Sequence, residues 1–130
     1  MIDHVSIPVR DLVRSAALYE RLLAHLELTR LVNRPATVGF GKRYPEFWLN
    51  RRPALATGED TGLHVCLRAE STAAVEAFHA AALAAGGVSD GAPGARPEYS
   101  AGYYAAFVRD PEGNRIEAVT FVTSAPAGSA

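Results

Sequence analysis

The chain is predicted to fold as an α+β domain of two βαβββ modules that pair into a curved mixed sheet around a central cavity, with the helices on the outside. Three observations predict this. The order of one strand-like run, one helical run and three strand-like runs occurs twice. A shift of the sequence that sets His4 and Val5 on His64 and Val65 also sets Leu18 on Phe78, and Leu26 on Gly86 at a helix end. A stretch interrupted by Pro53 and Gly58, residues 53–61, reads as a linker between the copies. Two copies at so long a period indicate duplication of a supersecondary unit rather than a solenoid. Module one is assigned to residues 1–52 and module two to residues 62–123.

In module one, Ile2 to Val9 alternates as a strand does, placing Ile2, His4, Ser6 and Pro8 on one face and Asp3, Val5, Ile7 and Val9 on the other. Asp11 suits an N-cap. The helix after it is predicted to run to about Leu26, because Leu12, Ala16, Tyr19, Leu23 and Leu26 recur at helical spacing while Arg14, Glu20 and Arg21 fall off that stripe. Three short extended runs follow, 28–34, 36–42 and 46–51, separated by Pro35, Gly41 and Pro45.

Module two opens with the strand-like run 63–69. A helix over 71–85 is capped by Ser71 or Thr72 and closed by Gly86 and Gly87, with Val75, Phe78 and Ala82 as its apolar stripe. A loose extended stretch over 88–96 precedes two better strands, 103–109 and 115–122. Between them Asp110, Pro111, Glu112, Gly113 and Asn114 specify a tight hairpin turn: Pro111 presets φ, Gly113 and Asn114 tolerate positive φ, and Asp110 can accept amides ahead of it. Residues 124–130, small, polar or Pro/Gly, read as a flexible tail.

A chain of 130 residues is long enough for one core without disulfides or a structural zinc cluster. With 13 Lys and Arg against 14 Asp and Glu there is no sustained positive field, and no basic cluster is interleaved with stacking aromatics, so nucleic acid is not expected as a partner. No run has the length and apolarity of a membrane span. A single cysteine, Cys66, and no basic-then-apolar leader suggest a cytoplasmic protein.

The chemistry concentrates at Glu117. It lies between Ile116 and Ala118 in an otherwise apolar strand, where a buried carboxylate needs a partner. His4 and His64, at equivalent points of the two modules, are the candidates, and with Glu117 they make a possible metal site. Alternation lets one of Phe47 and Trp48 face the cavity as an apolar wall, and Tyr99, Tyr103 and Tyr104 flank Gly102 as hydrogen-bond donors or sheet braces. His25 and His79 read as helix residues, Arg51, Arg96 and Arg109 as solvated charges, and Cys66, on the face of His64, as a packed thiol.

Three runs, IDHVSIPVRDLVRSAALYERLL, GLHVCLRA and YYAAFVRDPEGNRIEAV, together resemble the vicinal oxygen chelate superfamily, which includes glyoxalase I, extradiol dioxygenases, and the fosfomycin and bleomycin resistance proteins. PEFWLN and GYYAAFVRDPEGN are similar to a small bacterial glyoxalase-like branch. The resemblance implies a single such domain over 1–123 in which His4, His64 and Glu117 ligate a divalent metal, Fe(II), Mn(II), Ni(II) or Zn(II), with Glu117 also catalytic. The fourth ligand position of glyoxalase I falls near Trp48, with Glu46 the only nearby oxygen ligand, which disfavours true glyoxalase I activity. Two histidines and one carboxylate match the facial triad of extradiol dioxygenases. The implied function is polarisation of vicinal oxygens of a small substrate in a lyase, isomerase or dioxygenase step, with Trp48, Phe47, Tyr103 and Tyr104 binding that substrate. The rival reading is a metal-free, bleomycin-resistance-type protein that sequesters an aromatic or antibiotic-like ligand and needs no cofactor. Asp3, the one acid near a ligand histidine, is expected on the face opposite His4. A homodimer is expected, with the site within one chain or across two left open.

Overall fold

In the computed structural model, residues 1–56 and 60–123 are described. The tail predicted over 124–130 and the middle of the linker, 57–59, lie outside the described residues. Module one comprises β1 (Val5–Val9), α1 (Leu12–Leu23), a 3-10 turn (Ala24–Leu26), β2 (Thr29–Arg34), β3 (Thr37–Gly41) and β4 (Pro45–Arg51). Module two comprises β5 (His64–Arg68), α2 (Thr72–Ala84), β6 (Val88–Ala95), β7 (Tyr103–Arg109) and β8 (Arg115–Phe121). Both copies are βαβββ, and the α+β class predicted from the sequence is borne out.

Both helices start where their caps direct. Asp11 is extended and its carboxylate accepts the Arg14 amide at 3.0 Å; Ser71 does the same for Ala74 at 3.1 Å, which settles the choice between Ser71 and Thr72. The predicted stripes are the buried ones, with Leu12, Ala16, Tyr19 and Leu23 inside in α1 and Val75, Phe78 and Ala82 in α2. The first helix stops earlier than predicted. Leu26 is still buried, but it sits in the 3-10 turn, and Glu27 enters the left-handed region at φ 62 so that the Leu28 amide can return to the Leu23 carbonyl at 3.0 Å. No glycine is available there, and apolar burial of Leu26 and Leu28 offsets a backbone cost of about 1 kcal/mol.

Each module makes its own four-stranded sheet, in the orders β1-β4-β3-β2 and β5-β8-β7-β6. In each, the first strand runs parallel to the last, the register setting Ser6 opposite Trp48 and Cys66 opposite Glu117. The two sheets stay separate, and the modules meet through their helices and one shared core. The turn between β7 and β8 locks this joint. Glu112 accepts the amides of Arg10 and Asp11 at 2.9 and 2.7 Å at the N-terminus of α1, and Asn114 donates to the Pro8 carbonyl at 3.0 Å. Buried Asp110 accepts the Tyr19 hydroxyl at 2.6 Å and the amides of Glu112 and Asn114. Gly113 alone in this turn takes positive φ, at 91°. Among the described residues, no helix is long and apolar enough to cross a membrane.

Candidate functional site

The period of two along the strands sorts the side chains of each sheet into a helix-facing set and an open-facing set. In module two, Ile116 and Ala118 of β8 pack in the core, so Glu117 faces away from α2. The register places Cys66 of β5 on one side of it and Phe107 of β7 on the other, with His64, Arg68, Tyr103 and Phe121 on the same face. Glu117 is 2% exposed. Its carboxylate accepts the Tyr103 hydroxyl, and Oε1 lies 3.2 Å from His64 Nε2. Tyr103 touches Tyr99 and Phe121 edge to face, with ring centroids 5.2 and 5.4 Å away, forming an aromatic wall beside the carboxylate.

This environment fixes protonation states. Burial first, then the bond to Glu117, pushes the Tyr103 phenol far above its ordinary value, so it remains a donor at neutral pH. Cys66 is exposed rather than packed as expected, yet partial desolvation of its thiol against the sheet, reinforced by the charge of Glu117, pushes it up to about 12, so it stays a neutral thiol beside the carboxylate.

The module-one face is the counterpart. Ser6 lies along it, with His4 just before the strand, and Trp48, opposite Ser6 as Glu117 is opposite Cys66, occupies the position related to Glu117 by the internal duplication. Its ring lies over Gly39, where a Cβ would come within 2.9 Å of both the indole and Pro45. An indole therefore stands at the position that the duplication relates to the Glu117 carboxylate. His4 is exposed, and its Nδ1 lies 2.8 Å from the Asp3 carboxylate. Asp3 also accepts the Tyr44 hydroxyl at 3.0 Å, and the bonds from His4 and then Tyr44 hold it below its ordinary value. The expectation that Asp3 points away from His4 is thus corrected: both residues precede β1, where strand alternation does not apply.

Not all predicted lining residues share these faces. Phe47 is 1% exposed in the core, its ring 5.4 Å from that of Tyr19, and so does not face the open side as Trp48 does. Tyr104 turns toward α2, where its hydroxyl donates to Glu76 at 3.4 Å. Adjacent residues on one strand cannot both face the site, and the core claims the other member of each pair. Phe107 and Phe121 join the face without having been expected there, although alternation from Tyr103 and Glu117 is enough to identify them. Among the described residues no three His, Cys, Asp or Glu side chains converge to hold a metal ion. His64 and Glu117 meet as two potential ligands, while His4 stands apart from them.

A cleft of about 320 Å³ opens at the joint between α1 and the β7–β8 turn. Its carboxylates are already engaged, Asp110 by Tyr19 and Glu112 by Arg10, so it reads as part of the joint.

A family model described as the Glyoxalase/Bleomycin resistance protein/Dioxygenase superfamily matches residues 1–118. The chain belongs to this superfamily. Among solved structures, a glyoxalase/bleomycin resistance protein from Albidiferax ferrireducens T118 is 30% identical, with a TM-score of 0.79 over 90% of this chain and 96% of that one. A glyoxalase/bleomycin resistance protein/dioxygenase family enzyme from Burkholderia phytofirmans PsJN is 20% identical, with a TM-score of 0.72 over 93% and 98%. The fosfomycin resistance protein FosX from Listeria monocytogenes, 13% identical with a TM-score of 0.69 over 94% and 93%, shares the fold. No curated protein matches the sequence. Superfamily membership accounts for the duplicated βαβββ architecture.

Proposed function

We propose that this superfamily member is a small-molecule metalloenzyme whose site is completed by a second copy of the chain. His64 and Glu117 would supply two ligands and His4 of the other copy the third. The observation that carries the reading is the contact between His64 and the buried carboxylate of Glu117 on an open sheet face. A carboxylate withdrawn from water beside a histidine, with no lysine or arginine paired to it among the described residues, suits a cation from outside the chain. The need for a second copy follows from the separation of His4 from that pair and from modules that meet through their helices, leaving each open face unpartnered. A bound divalent cation would act as a Lewis acid toward adjacent oxygens of the substrate.

The chain's own groups have defined tasks in this reading. Tyr103 holds one oxygen of Glu117 through its hydroxyl and so orients the other toward His64. Asp3 orients the His4 ring in the same way. Glu117 is the group placed to accept a proton from the substrate. Trp48 forms the apolar wall, and because an indole does not ligate it would leave a coordination position of the cation open to substrate. The reaction class is a lyase, isomerase or dioxygenase step rather than that of glyoxalase I, in a cytoplasmic setting.

A second reading, a metal-free protein that sequesters an aromatic ligand, is favoured by one observation, the indole at the position related to Glu117. Metal titration separates the two. Wild type is expected to take up about one Zn(II) or Mn(II) per chain by elemental analysis and calorimetry. His4→Ala and Glu117→Ala each lose it. Co-refolded as a mixture, these two variants regain part of the sites, because a mixed dimer has one interface with both module surfaces intact. Recovery by neither variant nor mixture, with uptake by wild type, places the site within one chain. No uptake by wild type leaves the sequestering reading.

A further inference from the structure

We propose that Tyr44 is a positioning residue of this site: its hydroxyl anchors Asp3, and Asp3 in turn holds the His4 ring with Nδ1 protonated and Nε2 bare. The inference rests on the site reading above and extends it from the ligands to a group that aims one of them. His4 lies just outside the strand that fixes its neighbours: β1 begins at Val5, and Met1, Ile2, Asp3 and His4 are all exposed. Among the described residues, one side-chain hydrogen bond ties this segment to the rest of the chain, from the Tyr44 hydroxyl to Asp3 Oδ2 at 3.0 Å. The other oxygen, Oδ1, lies 2.8 Å from His4 Nδ1. An ionised carboxylate only accepts, so Nδ1 is the donor, and the lone pair of the neutral ring is left on Nε2. Nε2 has no hydrogen-bond partner among the described residues.

Tyr44 is itself held in place. It closes the turn between β3 and β4, where a Cβ on Gly41 would collide with the Tyr44 carbonyl oxygen, so glycine is what lets the chain reverse this tightly and send the phenol toward the segment before β1. The Tyr44 side chain is half-exposed, so core packing does not account for a tyrosine here.

The same order of groups, a phenol, a carboxylate and a histidine, stands in module two as Tyr103, Glu117 and His64. The two sets are not copies of each other. The shift that sets His4 on His64 sets Asp3 on Leu63, and Tyr44 precedes β4 whereas Tyr103 begins β7. Duplication therefore does not account for the likeness; a shared demand at the two histidines does. The sets differ in the ring nitrogen they engage. Glu117 meets Nε2 of His64 and is placed to share a cation with it, whereas Asp3 takes Nδ1 of His4 and leaves Nε2 to ligate.

Nitrogen NMR of the metal-free full chain with labelled histidine at pH 9, His4 being assigned through His4→Gln, tests this. Wild type is expected to show His4 protonated at Nδ1 and bare at Nε2, the reverse of the form that prevails in free histidine. Tyr44→Phe moves the ring part of the way to the Nε2–H form and Asp3→Ala moves it fully, while His64 is unchanged in both. By calorimetry, Tyr44→Phe is expected to bind Zn(II) roughly tenfold more weakly than wild type, the scale of losing a group that orients a ligand. A His4 ring protonated at Nε2 in wild type, a tautomer that neither variant shifts, or Zn(II) affinity unchanged by Tyr44→Phe overturns the proposal. No Zn(II) uptake by wild type defeats the metal reading, and the tautomer, which is read without metal, then decides the positioning role by itself.

Discussion

Replacing Glu117 with leucine separates a carboxylate held for a ligand from one that holds the fold. Its side chain is 3% exposed, and its partners are the Tyr103 hydroxyl and a His64 ring whose side chain is 50% exposed. Withdrawing a carboxylate from water costs several kcal/mol, against about 1.5–3 kcal/mol returned by each charge-assisted hydrogen bond. Both donors reach solvent once the carboxylate is gone, so neither is left buried and unpaired. A leucine between Cys66 and Phe107 adds apolar burial, up to about 2 kcal/mol. The expected outcome is a stability between about 1 kcal/mol below and about 2 kcal/mol above wild type, with the latter a rise in Tm of several degrees, together with complete loss of metal uptake. Reversible urea unfolding at fixed protein concentration and metal calorimetry on the same samples measure both quantities. A loss of more than about 2 kcal/mol would refute the reasoning, since it would make Glu117 a structural residue of the sheet.

Asp110 should behave in the opposite way: Asp110→Ala strands the Tyr19 hydroxyl, two amides and the Asn114 side chain, and urea melts are expected to show a loss of at least about 3 kcal/mol. Glu112 should govern the acid limb of stability. Burial pushes its carboxyl up, but the amides of Asp11 and Arg10 and the Arg10 guanidinium outweigh this and hold it below its ordinary value of 4.5. A depressed folded pKa contributes stability that is present above that value and lost as pH falls through the lower folded one. Glu112→Gln is therefore expected to flatten the decline in stability below pH 4.5 while lowering the neutral plateau, as read by thermal melts across pH. Cys66, its thiol pushed up to about 12, should react with iodoacetamide at pH 8 on the order of a hundredfold more slowly in the native protein than in urea; comparable rates would show that the thiol is not held in its neutral form.

The duplicated βαβββ order, both N-caps, the helix stripes and the turn at Asp110–Asn114 were legible in the sequence because each is a local pattern: alternation, helical spacing, or a residue type demanded by one backbone geometry. The burial of the Glu117 carboxylate was legible for the same reason, since an acid flanked on its strand by apolar residues is carried into the sheet with them. What only the tertiary structure decided were relations between elements. Alternation leaves a choice of phase, and packing against the helices decided it, sending Phe47 and Tyr104 away from the open faces and keeping Trp48 and Tyr103 on them. Pairing of β5 with β8 within module two brought His64 to Glu117, whereas packing of module on module left His4 apart, because burial of α1 against α2 determines where each open face points and no strand pattern encodes that choice. The arginines expected as solvated charges divide on the same ground, since a salt bridge from Arg109 to Asp90 or a ring beneath the Arg96 guanidinium is a meeting of residues distant in sequence, created when strands come into register.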